Sequence, residues 1–209
     1  MMEWSTLPIE LVVRGRRALV VGAAGECVSK VRRLVDAGAA VTVVTQRGDV
    51  DAALASLAES GVIRLEDRDF EDADATSAVV VFLGTEHATL GAALSDKARR
   101  EHRLVSTLDR PEASTFINPA VARENGISVS ISSGGGAPGL VKALRESLGR
   151  AIADASFGAF VQELVARRAS EPRGKRSHTL RTLLDGFGLE VRCTYPTWFR
   201  APPLIASKG

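Results

Sequence analysis

The sequence predicts an α/β fold of the Rossmann type, in which helices cover both faces of a parallel β-sheet. Through the first half of the chain, short apolar runs alternate with segments whose apolar residues recur at helical spacing. In residues 17–45, one apolar run breaks at Gly22, a helical pattern follows, and a second apolar run begins after Gly38. A strand–turn–helix–strand unit of this kind presents its turn to a nucleotide pyrophosphate.

The predicted sheet has five strands joined by helical segments. Strands are expected near residues 17–22, 40–45, 62–65, 78–83 and 103–107. Helices are expected near residues 26–37, 50–60 and 88–101. Right-handed crossovers between parallel strands bring their carboxyl ends to one edge of the sheet, which is where such folds bind ligands.

The pattern changes after residue 110, where strands and helices no longer alternate regularly. A short strand is expected at residues 116–119 and a second one at 127–131. The glycine-rich loop 132–136 follows, and a helix begins near Pro138 because proline is favoured in a first helical turn. Further helices and an irregular tail complete the chain, with the helices expected near 153–168 and 179–185.

Composition excludes several classes of protein. Of the 209 residues, 45% are hydrophobic, which allows a full core and argues against global disorder. Charges of both signs are mixed and the formal net charge is +2, so we expect no nucleic-acid partner. No apolar stretch reaches the roughly 18 residues of a membrane span, and residues 1–10 lack the pattern of a secretory signal. We therefore expect a cytoplasmic protein with no membrane partner.

Cysteine and histidine give no sign of a metal site or of a disulfide framework. The two cysteines, Cys27 and Cys193, are far apart in the sequence. The histidines, His87, His102 and His178, do not have the spacing of metal ligands. We expect no permanent metal.

The turn after the first predicted strand departs from the usual glycine pattern. A full dinucleotide fingerprint is Gly-x-Gly-x-x-Gly/Ala, whereas this chain has Gly22-Ala23-Ala24-Gly25-Glu26-Cys27. A methyl group at Ala24 should push the phosphate outward or demand a shifted turn. Glu26 lies at the helix N-terminus, where its charge favours the helix dipole but opposes a bound anion. Candidate cofactor contacts here are Gly22, Ala24, Gly25 and Glu26.

The end of the second predicted strand bears on the choice of nucleotide. It continues into Gln46 and Arg47, without the carboxylate that usually holds a ribose 2′-hydroxyl. Arg47 can accept a 2′-phosphate, which would indicate NADP, or it can be an ordinary solvated turn residue. NAD and NADP therefore both remain candidates, with Gln46 and Arg47 as possible contacts.

Four separated segments resemble one enzyme family. They are Leu7-Pro8-Ile9, Lys30 with the Ala37-Gly38-Ala39 turn, residues 109–119 (DRPEASTFINP), and residues 129–138 (VSISSGGGAP). Over about residues 7–150 the chain resembles the precorrin-2 dehydrogenase/sirohydrochlorin ferrochelatase family, which also forms the N-terminal half of bifunctional siroheme synthases. The Asp-x-Pro-x-x-x-x-Phe and Ser-Ser-Gly-Gly-x-x-Pro segments are the specific part of this likeness.

The resemblance implies an architecture and a reaction. The architecture is a Rossmann nucleotide-binding domain over 1–115, a small α+β dimerisation region over 116–152, and a helical C-terminal module with an irregular tail over 153–209. The reaction is the oxidation of precorrin-2, a tetrapyrrole, to sirohydrochlorin with NAD as hydride acceptor. Many members of the family then insert ferrous iron in the same cleft, so iron is a transient substrate. The family also implies a homodimer.

The resemblance implies that Asp109 is the general acid/base of both steps. A carboxylate at the carboxyl end of a strand, facing the nucleotide crevice, suits both proton transfers. The alternative is that Asp109 only caps the turn before Pro111, since Asp-x-Pro is a common turn composition. Four residues are candidate ligands of the substrate carboxylates or of the macrocycle: Arg110, Ser133, Gly134 and Lys142.

The chain departs from the family at the glycine turn, and this keeps three hypotheses open. Aligned without a gap, Ala23 and Ala24 replace family glycines, Gly25 replaces an acidic residue and Cys27 replaces an alanine. The first hypothesis is a complete dehydrogenase, with or without chelatase activity and with iron or cobalt as the inserted metal. The second is a chelatase or tetrapyrrole-binding protein that has lost efficient NAD binding. The third is a Rossmann module that senses a nucleotide without chemistry.

Overall fold

A computed structural model of the protein describes residues 6–23, 25–45, 50–84 and 88–200. The chain forms two compact units. The first contains Met1–Ala122 and Val129–Glu146, and the second contains Arg123–Ser128 and Ser147–Gly209. None of the helices in the described ranges combines the length and the apolar character that crossing a membrane requires.

The first unit contains a parallel sheet of five strands in the order β3-β2-β1-β4-β5. The order reverses beside β1, which pairs with β2 on one side and with β4 on the other. This confirms the predicted Rossmann-type sheet, whose ligand crevice lies where the strand order reverses. The strands are β1 (Arg17–Val21), β2 (Ala40–Thr45), β3 (Arg64–Asp67), β4 (Val80–Leu83) and β5 (Val105–Thr107).

The core lies on both faces of this sheet. Alternate residues of β1 belong to different apolar clusters, because successive side chains of a strand point to opposite faces. Val20 packs with Val31 and Val43 in one cluster, while Leu19 packs with Val81 in the other. All five are essentially inaccessible to solvent. Burial on both faces explains why the central strands β1 and β4 are nearly continuous apolar runs rather than alternating ones.

In the described ranges, four helices connect the five strands of the first unit and one 3₁₀ turn follows β5. They are α1 (Gly25–Asp36), α2 (Ala52–Glu59), α3 (Asp72–Thr76), α4 (Ala88–Arg100) and the 3₁₀ turn Pro111–Ala113. Helix α3 was not predicted, because its five residues, two aspartates, two alanines and one threonine, show no apolar period. Its N-terminus is held by Asp74, whose carboxylate accepts hydrogen bonds from the Glu71 N–H at 2.9 Å and from Arg68 at 2.7 and 2.9 Å. The Arg68 guanidinium lowers the pKa of Asp74 below its ordinary value.

The sequence placed the first strand after residue 115 too early. It predicted residues 116–119, whereas β6 (Ala120–Glu124) pairs with β7 (Ile127–Ile131) in a two-stranded sheet. Asn125 and Gly126 join the two strands, and both have positive φ, at 52° and 77°. An Asn-Gly pair between two strands is the signature of a tight hairpin turn, and it fixes where β6 must end.

Three helices follow the hairpin: α5 (Pro138–Ile152), α6 (Ala155–Ser170) and α7 (Arg176–Leu183). In the second unit the Asn125 amide donates hydrogen bonds to the carbonyls of Ile152, at 2.8 Å, and Asp154, at 3.3 Å. Asp154 caps α6 by accepting the Phe157 N–H at 2.9 Å. The predicted helices near 153–168 and 179–185 are therefore present, with boundaries shifted by two or three residues.

Candidate active site

The carboxyl ends of β1, β2, β4 and β5 are joined by main-chain hydrogen bonds at one edge of the sheet. The Gly22 N–H donates to the Val44 carbonyl at 2.8 Å, and the Gly84 N–H donates to the Val21 carbonyl at 2.8 Å. The Leu108 N–H donates to the Leu83 carbonyl at 2.9 Å. Residues that directly follow these strands are therefore held beside one another, as the sequence predicted.

The turn between β1 and α1 begins with a backbone that favours glycine. Gly22 has a φ of 107°, which a side chain would strain. Ala23, by contrast, is buried in the core cluster beneath the sheet edge. Its methyl group packs inside the core. Replacing the family's glycine by alanine at this position therefore places no atom in the space outside the turn. Gly25 begins α1 with open space where a Cβ would lie, and Glu26 is exposed in the first turn. A phosphate can approach the backbone at Gly25.

Three predicted cofactor contacts lie outside the described residues: Ala24, Gln46 and Arg47. Their roles, and with them the choice between NAD and NADP, stay predictions.

A cleft of about 240 Å³ lies beside the end of β5. It brings together three of the predicted site residues, Asp109, Arg110 and Gly134, and adds Lys30 from α1. Its other lining residues are Ser106, Thr107, Leu108, Pro111, Ser114, Phe116, Ile117, Asn118 and Gly135. The Asp-x-Pro segment and the glycine-rich loop, 25 positions apart in the sequence at Asp109 and Gly134, thus face one cleft.

Asp109 has a backbone conformation that is uncommon for a residue with a side chain. Its φ is 57°, in the left-handed region that aspartate tolerates better than most residues. Its carboxylate is exposed and makes no hydrogen bond or salt bridge with any described residue. It does not cap the following 3₁₀ turn, whose N-terminal flanking residue is Arg110. The left-handed residue is therefore imposed by the surrounding turn and leaves the carboxylate available.

Hydroxyl groups fix the turn that carries Asp109. The Ser114 hydroxyl accepts the Thr107 N–H at 3.0 Å and donates to the Arg110 carbonyl at 2.9 Å. The Thr107 hydroxyl donates to the Ala113 carbonyl at 3.0 Å. Residues on both sides of Asp109 are thereby joined across the turn, which fixes the main chain from which its carboxylate extends.

Two residues of helix α4, Gly91 and Arg99, lie against β5 and this turn. The Arg99 guanidinium donates to the Glu112 carbonyl at 2.9 Å. Gly91 lies so close to Thr107 that a Cβ there would come within 2.7 Å of the Thr107 hydroxyl oxygen. The glycine permits this close approach, and neither contact could be read from the sequence pattern.

Lys30 is the residue of the cleft that sequence reasoning missed as a site residue. In the sequence Lys30 served only as part of the likeness to the family, whereas the structure places it in the lining of the cleft. Burial lowers the pKa of its ammonium below 10.5, and the positive charge of Arg33 lowers it further. The negative charge of Asp109 acts in the opposite direction and raises it. The two cleft residues are therefore close enough to interact electrostatically.

The glycine-rich loop presents backbone to the cleft. Gly134 and Gly135 have φ values of 61° and 87°, and both line the cleft. The Ser133 hydroxyl accepts the Ala137 N–H at 3.0 Å, which leaves its own proton available for donation. Lys142 lies exposed on α5 and is not among the lining residues.

The lower wall of the cleft is apolar. Phe116 lines it and packs edge to face against Phe82 of β4, with ring centroids 5.6 Å apart. Within the ranges that the structure describes, no group of three or more His, Cys, Asp or Glu residues could hold a metal ion. The cleft therefore combines one carboxylate and two cations with an aromatic wall.

Comparison with known proteins identifies the family. Residues 9–120 match the profile of a family described as "Putative NAD(P)-binding". The chain belongs to this NAD(P)-binding family. The match spans the whole parallel sheet and the turn that carries Asp109.

Curated relatives of the chain are named siroheme synthase. The protein of Methylococcus capsulatus is 34% identical over 182 residues, which cover 85% of this chain and 38% of the relative. That of Methylobacillus flagellatus is 36% identical over 176 residues, covering 82% of this chain and 37% of the relative. The resemblance stated from the sequence motifs is confirmed. The chain spans less than two fifths of the length of these relatives.

A solved structure shares the fold. It is titled "SirC, precorrin-2 dehydrogenase", superimposes with a TM-score of 0.70 and is 21% identical in sequence. The superposition covers 87% of this chain and 90% of that one. The predicted fold class is thereby confirmed for most of the chain.

Proposed function

We propose that this chain oxidises precorrin-2 to sirohydrochlorin, as a step of siroheme biosynthesis, with NAD or NADP as hydride acceptor. Its curated relatives are named for siroheme synthesis, and a protein of the same fold is named for this oxidation. The observation that carries the proposal is Asp109, an unpaired carboxylate at the carboxyl end of β5. A general base must be free to accept a proton, and this one is free and extends from a hydrogen-bonded turn.

The residues at the end of β1 fit a dinucleotide. Gly22 makes the turn, Gly25 leaves its backbone open, and α1 begins directly beside them. Helix N-termini favour anions, so the pyrophosphate is expected here. NAD(P) would supply the hydride acceptor that the protein itself lacks. Ala24, Glu26, Gln46 and Arg47 are proposed as further contacts, with Arg47 deciding whether a 2′-phosphate is accepted.

The substrate is proposed to lie in the cleft beside Asp109. Precorrin-2 carries many carboxylates, and cationic or hydrogen-bond-donating groups of this chain can hold them. Arg110 lies in the cleft, the Ser133 hydroxyl has a proton to donate, and Lys142 is accessible on α5. Gly134 presents its backbone to the same space.

The proposed oxidation removes two hydrogens from the macrocycle. One would leave as a hydride, with its electron pair, for which bound NAD(P) would be the acceptor. The other leaves as a proton, which the Asp109 carboxylate accepts and passes to water. In the overall reaction, precorrin-2 and the oxidised nucleotide are converted to sirohydrochlorin, the reduced nucleotide and one proton.

An anaerobic turnover assay tests this proposal. Purified protein is mixed with precorrin-2 and either NAD or NADP, and the absorbance of sirohydrochlorin and of reduced nucleotide is followed. We expect one reduced nucleotide for each sirohydrochlorin formed. Sirohydrochlorin that forms no faster than in a sample without protein would contradict the proposal.

A second candidate activity is insertion of ferrous iron into sirohydrochlorin. Two pyrrolic protons must leave as the metal enters, without any redox change, and Asp109 can accept them in turn. The alanine at position 24 and the acidic Glu26 favour this activity over oxidation, because both weaken a pyrophosphate site. Adding ferrous iron to protein and sirohydrochlorin tests it, and cobalt tests the metal preference. A chelatase without nucleotide affinity would form the metal complex but never oxidise precorrin-2.

We also propose that the chain works as a homodimer. The sheet of β6 and β7 has only two strands, and such a hairpin is marginal on its own. Leu140 of α5 is 60% exposed, so its apolar side chain is accessible to a second copy of the chain. Sedimentation equilibrium is expected to give twice the mass of the chain, and a monomer at micromolar concentration would contradict the proposal.

A further inference from the structure

Lys30 occupies an unusual electrostatic position, and its role rests on the function proposed above. It lies in the middle of α1, away from the helix N-terminus, and its side chain is half-buried in the lining of the cleft. No hydrogen bond or salt bridge joins its ammonium to any described residue. A half-buried cation loses hydration, and without a hydrogen bond or salt bridge it gains only the longer-range attraction of charges such as that of Asp109.

Other half-buried basic residues of the first unit are paired. Arg68 forms a two-pronged contact with Asp74, and Arg103 is bonded both to Glu101, at 2.7 Å, and to the Ala75 carbonyl, at 2.7 Å. Burial lowers the pKa of Lys30, which is the expected result of desolvation without full compensation. An anion that enters the cleft would compensate this cost.

The position of Lys30 indicates which anion it meets. The cleft is lined by residues from 106–118 and by Gly134 and Gly135, and the described residues of the nucleotide turn, 22–23 and 25–26, are not among its lining. The ammonium therefore borders the space assigned to the substrate. The negative charge of Asp109 in the same space would repel the carboxylates of a tetrapyrrole, and a neighbouring cation offsets that repulsion.

We propose that Lys30 binds a carboxylate side chain of the tetrapyrrole in the cleft beside Asp109. The lysine thereby orients the ring edge that must meet Asp109. Because its side chain lines this cleft, it is a determinant of substrate affinity rather than of cofactor affinity.

Binding measurements on variants test this role. Lys30→Met removes the charge and keeps most of the apolar stem, while Lys30→Arg keeps the charge. Arg32→Met is the matched control, because it removes one exposed cation from the same helix. Calorimetry gives the affinity of each variant for sirohydrochlorin, NAD and NADP, each titrated alone.

We expect Lys30→Met to weaken sirohydrochlorin binding by about 10- to 100-fold, the usual effect of losing a hydrogen bond to a charged group. Its affinity for the nucleotide should stay within twofold of the wild type. Lys30→Arg should restore most of the tetrapyrrole affinity, and Arg32→Met should leave it unchanged. In turnover assays Lys30→Met should raise the KM for precorrin-2 more than it lowers kcat.

Other outcomes would overturn the inference. If Lys30→Met weakens nucleotide binding and spares sirohydrochlorin, the lysine serves the pyrophosphate instead. If neither affinity changes while the melting temperature rises, the lysine has no ligand. If the wild type binds no sirohydrochlorin, the proposed function fails and this inference fails with it. If the wild type and Lys30→Met bind sirohydrochlorin equally tightly, only the inference is refuted.

Discussion

Two turns at the same edge of the sheet are built in different ways. The turn between β1 and α1 depends on backbone: a left-handed Gly22, an inward-facing Ala23 and an open Gly25. The turn after β5 depends on side chains, with the hydroxyls of Thr107 and Ser114 joined to main-chain groups around Asp109. The described residues of the β1–α1 turn contribute no ionisable group to the lining of the cleft, whereas the turn after β5 contributes the carboxylate of Asp109.

This difference indicates that the β1–α1 turn serves nucleotide binding and that the turn after β5 serves catalysis. To bind a nucleotide phosphate, a turn needs only main-chain N–H groups that can donate to it and enough space for it, and a short glycine-containing turn provides both. A general base needs a fixed position, because misplacing a reacting group by about 1 Å can cost about 100-fold in rate. We therefore expect changes in the β1–α1 turn to alter nucleotide affinity by small factors. Changes in the β5 turn should alter turnover by large ones.

The largest effect is expected for Asp109→Asn. The amide keeps the size of the side chain and tolerates the left-handed backbone, but it cannot accept a proton. Turnover of precorrin-2 should fall by about 100- to 10,000-fold, the usual contribution of a general acid/base. Nucleotide affinity, measured by calorimetry, should stay within twofold. An active variant would remove Asp109 from the mechanism and end the distinction between the two turns.

Ser114→Ala tests whether the hydroxyl network fixes Asp109. The Thr107 N–H loses its partner, so the turn loosens while the carboxylate remains. We expect kcat to fall by about tenfold with nucleotide affinity unchanged. Ser170→Ala is the matched control, since its hydroxyl donates to the Arg167 carbonyl on α6. Equal kcat values for both variants would show that the network does not act on catalysis.

Asp74→Asn separates stability from chemistry, because Asp74 is a buried and paired carboxylate whereas Asp109 is exposed and unpaired. The pKa of Asp74 lies below its ordinary value of 3.8, so its contribution to stability is fully present above that pH. The contribution is lost as the pH falls through the lowered value. At pH 7 the variant should lose about 1–2 kcal/mol in free energy of unfolding.

The pH dependence of that loss provides the check. Urea unfolding at several pH values should give a difference between wild type and Asp74→Asn that shrinks below pH 3.8. Turnover per folded molecule at pH 7 should be unchanged. A constant difference across this range would show that the Arg68 pair is not its source.

The smallest effect is expected for Ala24→Gly. Removing the methyl group allows closer approach of the phosphate, and NAD affinity should rise about threefold. Unchanged affinity in calorimetry would show that the backbone of this turn already accommodates the phosphate. A change in kcat at saturating nucleotide would contradict the assignment of this turn to binding alone.

Much of the fold could be predicted because the sheet is buried on both faces. Its central strands β1 and β4 are nearly uninterrupted apolar runs, and Gly22 and Gly38 separate β1 and β2 from α1. Helix α3 escaped prediction because an ion pair and a capping carboxylate form it rather than an apolar face. The position of β6 was predicted wrongly because the Asn125-Gly126 turn, which fixes the end of the strand, was overlooked.

The candidate site could be predicted only in part. Asp109 and Gly134 were predicted from motifs, and both line one cleft. Lys30 was not predicted as a site residue, because α1 approaches the β5 turn only in three dimensions and no spacing in the sequence encodes that approach. Thr107 and Ser114 were missed for the same reason, since hydroxyl residues after a strand have no distinctive pattern.

The affinity of the purified chain for NAD and NADP, measured by calorimetry, tests the account most directly. A working dehydrogenase needs the altered β1–α1 turn to hold a dinucleotide at the same sheet edge as Asp109. The account predicts a dissociation constant in the micromolar range for at least one of the two nucleotides. Absence of binding at millimolar concentrations of both would contradict it and leave a chelatase or tetrapyrrole-binding protein.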